Sequence, residues 1–444
     1  MLSRIDIFMK IQGKNAKEIQ ESIRFLISQG VYQEGDTLPN IRELAKQLSV
    51  NRNTISTAYA ALAKLGVIQT NKRLGTQVRY SKSRGGEGSQ HNLSPELIDI
   101  AHGNPSRDLL PSLQSINFQN VRAGLYGEDI YHQQLKKYAE TQIFSDIFTI
   151  HPEACLALSY GAIDGIERIL SAYLLAQDHV AIESPGFINS IKILENNHFQ
   201  IHSIQVNHTG FNLSDIENAL NKNVKALIIT PRAHNPTGYS LNSDEAILIK
   251  NILSDFPNTL VLIDDHFSVI SHAEYYHIIP ETTQNWAVLR SVSKYLGPDL
   301  RFCFICCDPH TSALLDKKMN SGTSWVSHLL QSIVYQLLSA EKFEQHLKQV
   351  KQYYLDQNHA FVHLMQQKQL KCATQFDGLN VWLELDTPQY YAKALLERGW
   401  LVRTGDDFFV ENTQFGLRMT LSELSQQNIE HLVNDLADIV AKKC

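Results

Sequence analysis

Hydrophobic positions along the chain change their period twice, and each change marks a different kind of element. Over residues 15–29 they fall at Ile19, Ile23, Phe25, Leu26 and Ile27, a helical spacing closed by Gly30. A turn over 32–39 leads to Asn40, whose side chain suits a helix N-cap, and 41–48 repeats Ile41, Leu44, Ala45 and Leu48 at the same period. Asn51 caps a third helix, in which Ile55, Ala58, Ala61, Leu62 and Leu65 can pack inward. That packing leaves Arg52, Asn53, Thr54, Ser56 and Tyr59 facing out near the helix start. Residues 66–70 and 75–80 then alternate as two short strands around a basic tip at 71–74. The stretch 81–95, rich in Ser and Gly, reads as a flexible polar linker.

Beyond it, continuous apolar runs at 180–182, 226–230, 260–264 and 286–292 alternate with helical patterns at 164–175, 243–253 and 326–338. This rhythm predicts the α/β class, with a largely parallel sheet and ligands at the carboxyl ends of its strands. The tail, from about Cys372, shows a strand-like 379–385, a helix-like 390–398 and an amphipathic 425–442, a smaller α+β unit. The domains expected are therefore 1–80, a linker 81–95, and 96–444.

Composition narrows the class. With 444 residues the chain exceeds one ordinary core, and 43% hydrophobic with 19% charged residues describes a soluble protein. There is no run of about 18 apolar residues, and residues 1–10 are too short and too charged for a signal peptide, so the expectation is cytoplasm and no membrane. Six cysteines lie without CxxC pairs or His partners at metal spacing. Cys303, Cys306 and Cys307 fall in 300–307, which reads as a buried strand, so they are expected as reduced core thiols, with no metal.

The net charge of −6 hides an asymmetry. Residues 1–80 carry 12 Lys/Arg against 6 Asp/Glu, a net of +6, and the remainder has a net of −12. No acidic residue stands between Glu43 and Glu87, whereas Lys46, Arg52, Lys64, Lys72, Arg73 and Arg79 are basic. A one-signed stretch of this kind suits a polyanion, and helices followed by a two-stranded wing are the parts of a winged helix-turn-helix for double-stranded DNA. The runs Leu38-Pro-Asn-Ile-Arg-Glu-Leu-Ala45, Val50-Asn-Arg-Asn-Thr-Ile55, Ala58-Tyr59 and Gly75-Thr76 resemble the GntR-type DNA-binding domain. The resemblance implies DNA contacts from Arg42, Arg52, Asn53, Thr54 and Tyr59 and from a wing that includes Lys72, Arg73 and Gly75.

Candidate chemistry lies just past the apolar runs. Lys294 stands between small hydroxyl residues in Ser291-Val-Ser293-Lys294, with Arg301 seven positions on. An enclosed lysine can lose its proton and form an imine with an aldehyde cofactor, while Ser291, Ser293 and Arg301 hold a phosphate. Asp264, closing 260–264, can keep a pyridine nitrogen protonated, and Asn235 of Asn235-Pro-Thr-Gly238 can donate to a phenolate oxygen. Phe187 can stack on a ring, and Gly161-Ala162 before a helix suits a phosphate. Arg418 can clamp a carboxylate. Together these meet the needs of pyridoxal 5'-phosphate.

Their order resembles the fold type I aminotransferases over roughly 96–444, and joining them to a GntR-type domain resembles the MocR regulators. The likeness implies a head-to-tail homodimer in which Tyr126 reaches the neighbouring subunit's cofactor phosphate. It further implies a transcription regulator, here a repressor, that senses pyridoxal phosphate on Lys294 and controls vitamin B6 genes. An aminotransferase with an appended DNA-binding domain is the alternative. This sequence departs from the pattern at His266, where most relatives place a tyrosine near the phenolate oxygen. Further departures are Tyr131 and Lys136, in place of Gly and Arg, and the apolar Ile163 after Gly161-Ala162. They favour a sensor over an enzyme.

Overall fold

The computed structural model describes residues 10–33, 35–71, 75–78, 97–121, 123–322, 324–411, 413 and 415–443. It divides into two compact units, one mostly from residues before 85 and one from most of the remainder.

In the first unit, α1 (Ala16–Ser28), α2 (Ile41–Leu48) and α3 (Arg52–Lys64) each begin on an asparagine cap. Asn15, Asn40 and Asn51 accept from the amides of Glu18, Glu43 and Asn53, which satisfies donors that a helix start otherwise leaves open. The buried stripes of the three helices meet through Ile19, Ile23, Leu44, Ile55 and Leu62. Each such side chain contributes about 1.5–3 kcal/mol by leaving water. The hairpin β1 (Ile68–Asn71) and β2 (Gly75–Val78) closes the unit, so the first wing strand starts two residues later than expected.

Two inward and outward expectations are corrected here. Tyr59 does not face out: it is 4% exposed, and its hydroxyl donates to the Pro39 carbonyl at 2.6 Å. The ring fills the gap between α3 and the turn before α2. Leu65, expected inside, is 51% exposed, because it caps the end of α3 beyond the contact with α1. Phe25 is also exposed. The wing-tip residues Lys72 and Arg73, and the linker 81–95, lie outside the described residues.

The second unit opens with β3 (Ile98–Asp99) and is built on eight strands. In chain order these are β4 (Cys155–Ser159), β5 (His179–Ser184), β6 (Gln200–Asn207), β7 (Gly210–Phe211), β8 (Ala226–Ile229), β9 (Leu260–Asp264), β10 (Trp286–Ser291) and β11 (Cys303–Cys307). They lie side by side as β4-β11-β10-β9-β8-β5-β6-β7. The core pairs β10·β9, β9·β8, β8·β5 and β5·β6 are parallel. β11 runs antiparallel to both neighbours, and β7 is antiparallel to β6. β8, β9 and β10 are buried at every position, as parallel strands covered on both faces must be, which explains their unbroken apolar runs. Cys303, Cys306 and Cys307 are buried in β11, and burial pushes their thiols up, so they sit protonated.

The helices predicted over 164–175, 243–253 and 326–338 form as α4 (Ala162–Tyr173), α5 (Ser243–Ser254) and α6 (His328–Leu338). The tail holds β12 (Asn380–Leu383), β14 (Arg403–Thr404) and β15 (Leu417–Thr420) as a three-stranded sheet, while β13 (Trp400–Leu401) pairs in parallel with β3. Among the described residues no helix is long and apolar enough to cross a membrane.

Candidate functional site

Because β5, β8, β9 and β10 are parallel, their carboxyl ends deliver side chains to one edge of the sheet. A cavity of about 290 Å³ opens there. Ala162, Phe187, Asn235, Asp264, His266, Ser291, Ser293, Lys294 and Arg301 all line it, although they come from stretches more than a hundred residues apart. Gly161, just before Ala162, adjoins it. Its φ is +93°, and a Cβ there would stand 2.7 Å from Arg301 Nη2, so glycine is what lets the guanidinium lie over the start of α4. Arg301 Nη2 also donates to the Tyr160 carbonyl at 3.4 Å. Among the described residues no side chain caps α4, and Ala162 at its start lines the cavity together with Arg301 and with Ser291 and Ser293, whose hydroxyls are 2.9 Å apart. This is a cradle for a phosphate.

The cavity lining also carries a carboxylate. Asp264 is 5% exposed, and its Oδ1 is buried without a hydrogen-bond partner among the described residues. His266 Nδ1 is in the same condition, 3.6 Å away. Leaving a buried carboxylate oxygen unpaired costs about 1–3 kcal/mol or more, so the site is built for a donor from outside the chain. A protonated pyridine nitrogen is such a donor. Asn235 Oδ1 accepts from Arg418 Nη1 at 3.0 Å, which leaves its NH2 as the group able to donate. Lys294 Nζ donates to the Gly103 carbonyl at 2.5 Å.

Two expected residues stand apart from the lining. Arg418 is fully buried, bonded to Asn235 and to the Ala101 carbonyl, with its guanidinium 5.0 Å from the Phe408 ring centre. Tyr126 is 89% exposed and meets Trp325 edge-on. In the first unit Arg42, Arg52, Asn53 and Gly75 are exposed and Thr54 is half-buried.

Other residues escaped the sequence reading. Gly103, Asn104, Asn189 and Pro298 also line the cavity. Asn189, a polar residue two positions past Phe187, was the only one with a visible signal; Gly103 acts through its carbonyl and leaves none. Behind the cavity, Asp265 is 0% exposed and binds both Arg232 and Arg290, while Arg290 also binds Asp146. Burial pulls Arg290 down, but Asp265 and Asp146 outweigh it and hold the guanidinium charged. This network ties the residue that follows β9 to β10, next to Asp264. Glu183, fully buried, accepts from the Thr230 amide. Burial, with a smaller push from Asp264, raises its carboxyl to about 7. His234, before Asn235, is held neutral, as burial drives it down to about 3.

Comparison with known proteins bears on this geometry. Residues 97–436 match the family aminotransferase class I and II, and residues 15–78 match the bacterial regulatory proteins of the gntR family. The chain is 40% identical over 428 residues to a Salmonella typhimurium protein named vitamin B6 salvage pathway transcriptional repressor PtsJ, covering 96% of this chain and 98% of that one. It is 24% identical over 451 residues to the Staphylococcus aureus HTH-type transcriptional regulator NorG, covering 91% and 99%. Among solved structures, the kynurenine aminotransferase of Pyrococcus horikoshii superposes with a TM-score of 0.69 at 16% identity, over 79% of this chain and 92% of that one. At that identity the likeness concerns the fold.

Proposed function

Since the chain belongs to the aminotransferase class I and II family and carries a gntR-family segment ahead of it, we propose that it is a transcription regulator of the cytoplasm that binds pyridoxal phosphate. When bound, this group supplies an aldehyde that joins an amine and a pyridine ring that draws electron density. The chain's part is to hold and orient it. Lys294 would provide the amine. Ser291, Ser293, Arg301 and the start of α4 at Gly161 and Ala162 would hold the phosphate. Asp264 would take the ring N–H, Asn235 and His266 would serve the phenolate oxygen, and Phe187 would cover the ring. The observation that carries this reading is the buried Asp264 Oδ1, without a hydrogen-bond partner among the described residues, in the same cavity as Lys294.

The regulator reading is further supported by the full-length likeness to PtsJ, from which we take vitamin B6 salvage as the controlled process and repression as the outcome. Arg52, Asn53, Arg42 and Thr54 would meet the DNA, and a head-to-tail homodimer would present two such units, with Tyr126 reaching the partner's phosphate. Arg418 bears on the enzyme alternative. Its guanidinium is bonded to Asn235 and the Ala101 carbonyl and stands apart from the cavity lining, which does not favour capture of a substrate carboxylate.

Titration of the purified protein with pyridoxal phosphate, followed by visible absorbance, tests the reading. A stoichiometric band that survives dialysis is expected for the native chain and its loss for Lys294→Ala; no band in the native chain would refute it. Addition of amino and keto acids to the loaded protein should give no multiple turnover.

A further inference from the structure

Two cations, one lining the cavity and one buried beside it, are held by one short piece of backbone. Lys294 Nζ donates to the Gly103 carbonyl, and Arg418 Nη2 donates to the Ala101 carbonyl. Charge-assisted bonds of this kind are roughly twice as strong as neutral ones. The piece is braced within itself and tied to the tail. Asp99 Oδ1 accepts from the Ala101 amide at 2.9 Å, and Asp99 Oδ2 lies 2.7 Å from His102 Nδ1. Ser422 Oγ donates to the Asn104 carbonyl at 2.6 Å, and β3, at the start of the piece, pairs with β13. In sequence this segment, 98–104, is where the chain arrives after the gntR-family residues 15–78 and the intervening stretch.

We propose that the segment 98–104 is the element through which site occupancy is transmitted: a ligand that takes the Lys294 amine releases the Gly103 carbonyl and frees the segment that leads back to the DNA-binding residues. The inference rests on the function proposed above and adds how it is regulated. When the Lys294 nitrogen joins an aldehyde, a C=N bond forms, two of the ammonium hydrogens leave with the aldehyde oxygen as water, and one N–H remains in place of three, so the hold on the Gly103 carbonyl weakens. A ligand shifts an equilibrium only by its differential affinity for two states, and this change of contact is a physical source of that difference.

The anchors, not the site residues, provide the test. Asp99→Ala and Ser422→Ala loosen the segment while leaving Lys294, Asp264 and the phosphate cradle untouched. Pyridoxal phosphate is titrated by absorbance, and affinity for a duplex selected from random sequence by the native chain is measured with and without it. In the native chain the two affinities are expected to differ by a factor in the range of about 5–150. In each variant the visible band persists and that factor falls towards one. Amide exchange over 98–104 supplies a second readout: in the native chain it is expected to rise on addition of pyridoxal phosphate. An unchanged factor in both variants, with the cofactor bound, overturns the transmission role and leaves the proposed function standing. A native chain that takes up pyridoxal phosphate with no change in DNA affinity overturns both.

Discussion

At the scale of single residues, some polar groups of the site find no hydrogen-bond partner among the described residues. Asp264 Oδ1 and His266 Nδ1 are the clearest, and their neighbour Glu183 gives a measurable consequence. Burial raises the Glu183 carboxyl from its ordinary 4.5 to about 7, against the opposing pull of the Thr230 amide. The folded chain therefore keeps this proton where the unfolded chain has lost it. The contribution to stability is full below about pH 4.5, declines as pH rises towards about 7, and is lost above it. Glu183→Gln keeps an oxygen acceptor for Thr230 and removes the titration. Its unfolding free energy should fall less than that of the native chain between about pH 5 and about pH 8, by about 2–3 kcal/mol in denaturant titrations. Parallel curves for the two proteins would contradict the assignment.

At the scale of elements, legibility followed the physics of burial. Caps were readable because a helix start needs an acceptor, and Asn15, Asn40 and Asn51 serve where helices begin. Strands such as β9 were readable because two covered faces require unbroken apolar runs. A helical stripe is a coarser guide: one residue advances the helix by a large angle, so Tyr59 and Leu65 were placed on the wrong sides. The antiparallel direction of β11 had no sequence signal, since its burial pattern is the same either way. Lining residues carried on strand ends were found, whereas Gly103 and the Asp265 network arise from contacts between distant segments. Arg418 was expected at a ligand, but its engagement by Asn235, 183 positions away, could be seen only in three dimensions.

The exposed start of α3 carries its own prediction. Arg52→Ala should weaken DNA binding and lower the slope of log affinity against log salt by about 0.9, as expected for one lost phosphate contact. Binding isotherms at several salt concentrations would show it. Unchanged affinity and slope would remove Arg52 from the DNA face.

At the scale of the whole molecule, the charge asymmetry and the two family matches describe a single division of labour. A basic N-terminal part, capped and compact, precedes an acidic part that gathers an amine, a carboxylate and a phosphate cradle at one sheet edge. The account stands on a link between the two: occupancy of Lys294 must change how the N-terminal part binds DNA. The direct measurement is a DNA shift titration of the native chain and of Lys294→Ala, each with and without pyridoxal phosphate, with absorbance read on the same samples. The account predicts that pyridoxal phosphate changes the DNA affinity of the native chain in step with the visible band, and that the lysine variant shows neither change. An equal response to pyridoxal phosphate in both proteins would contradict it.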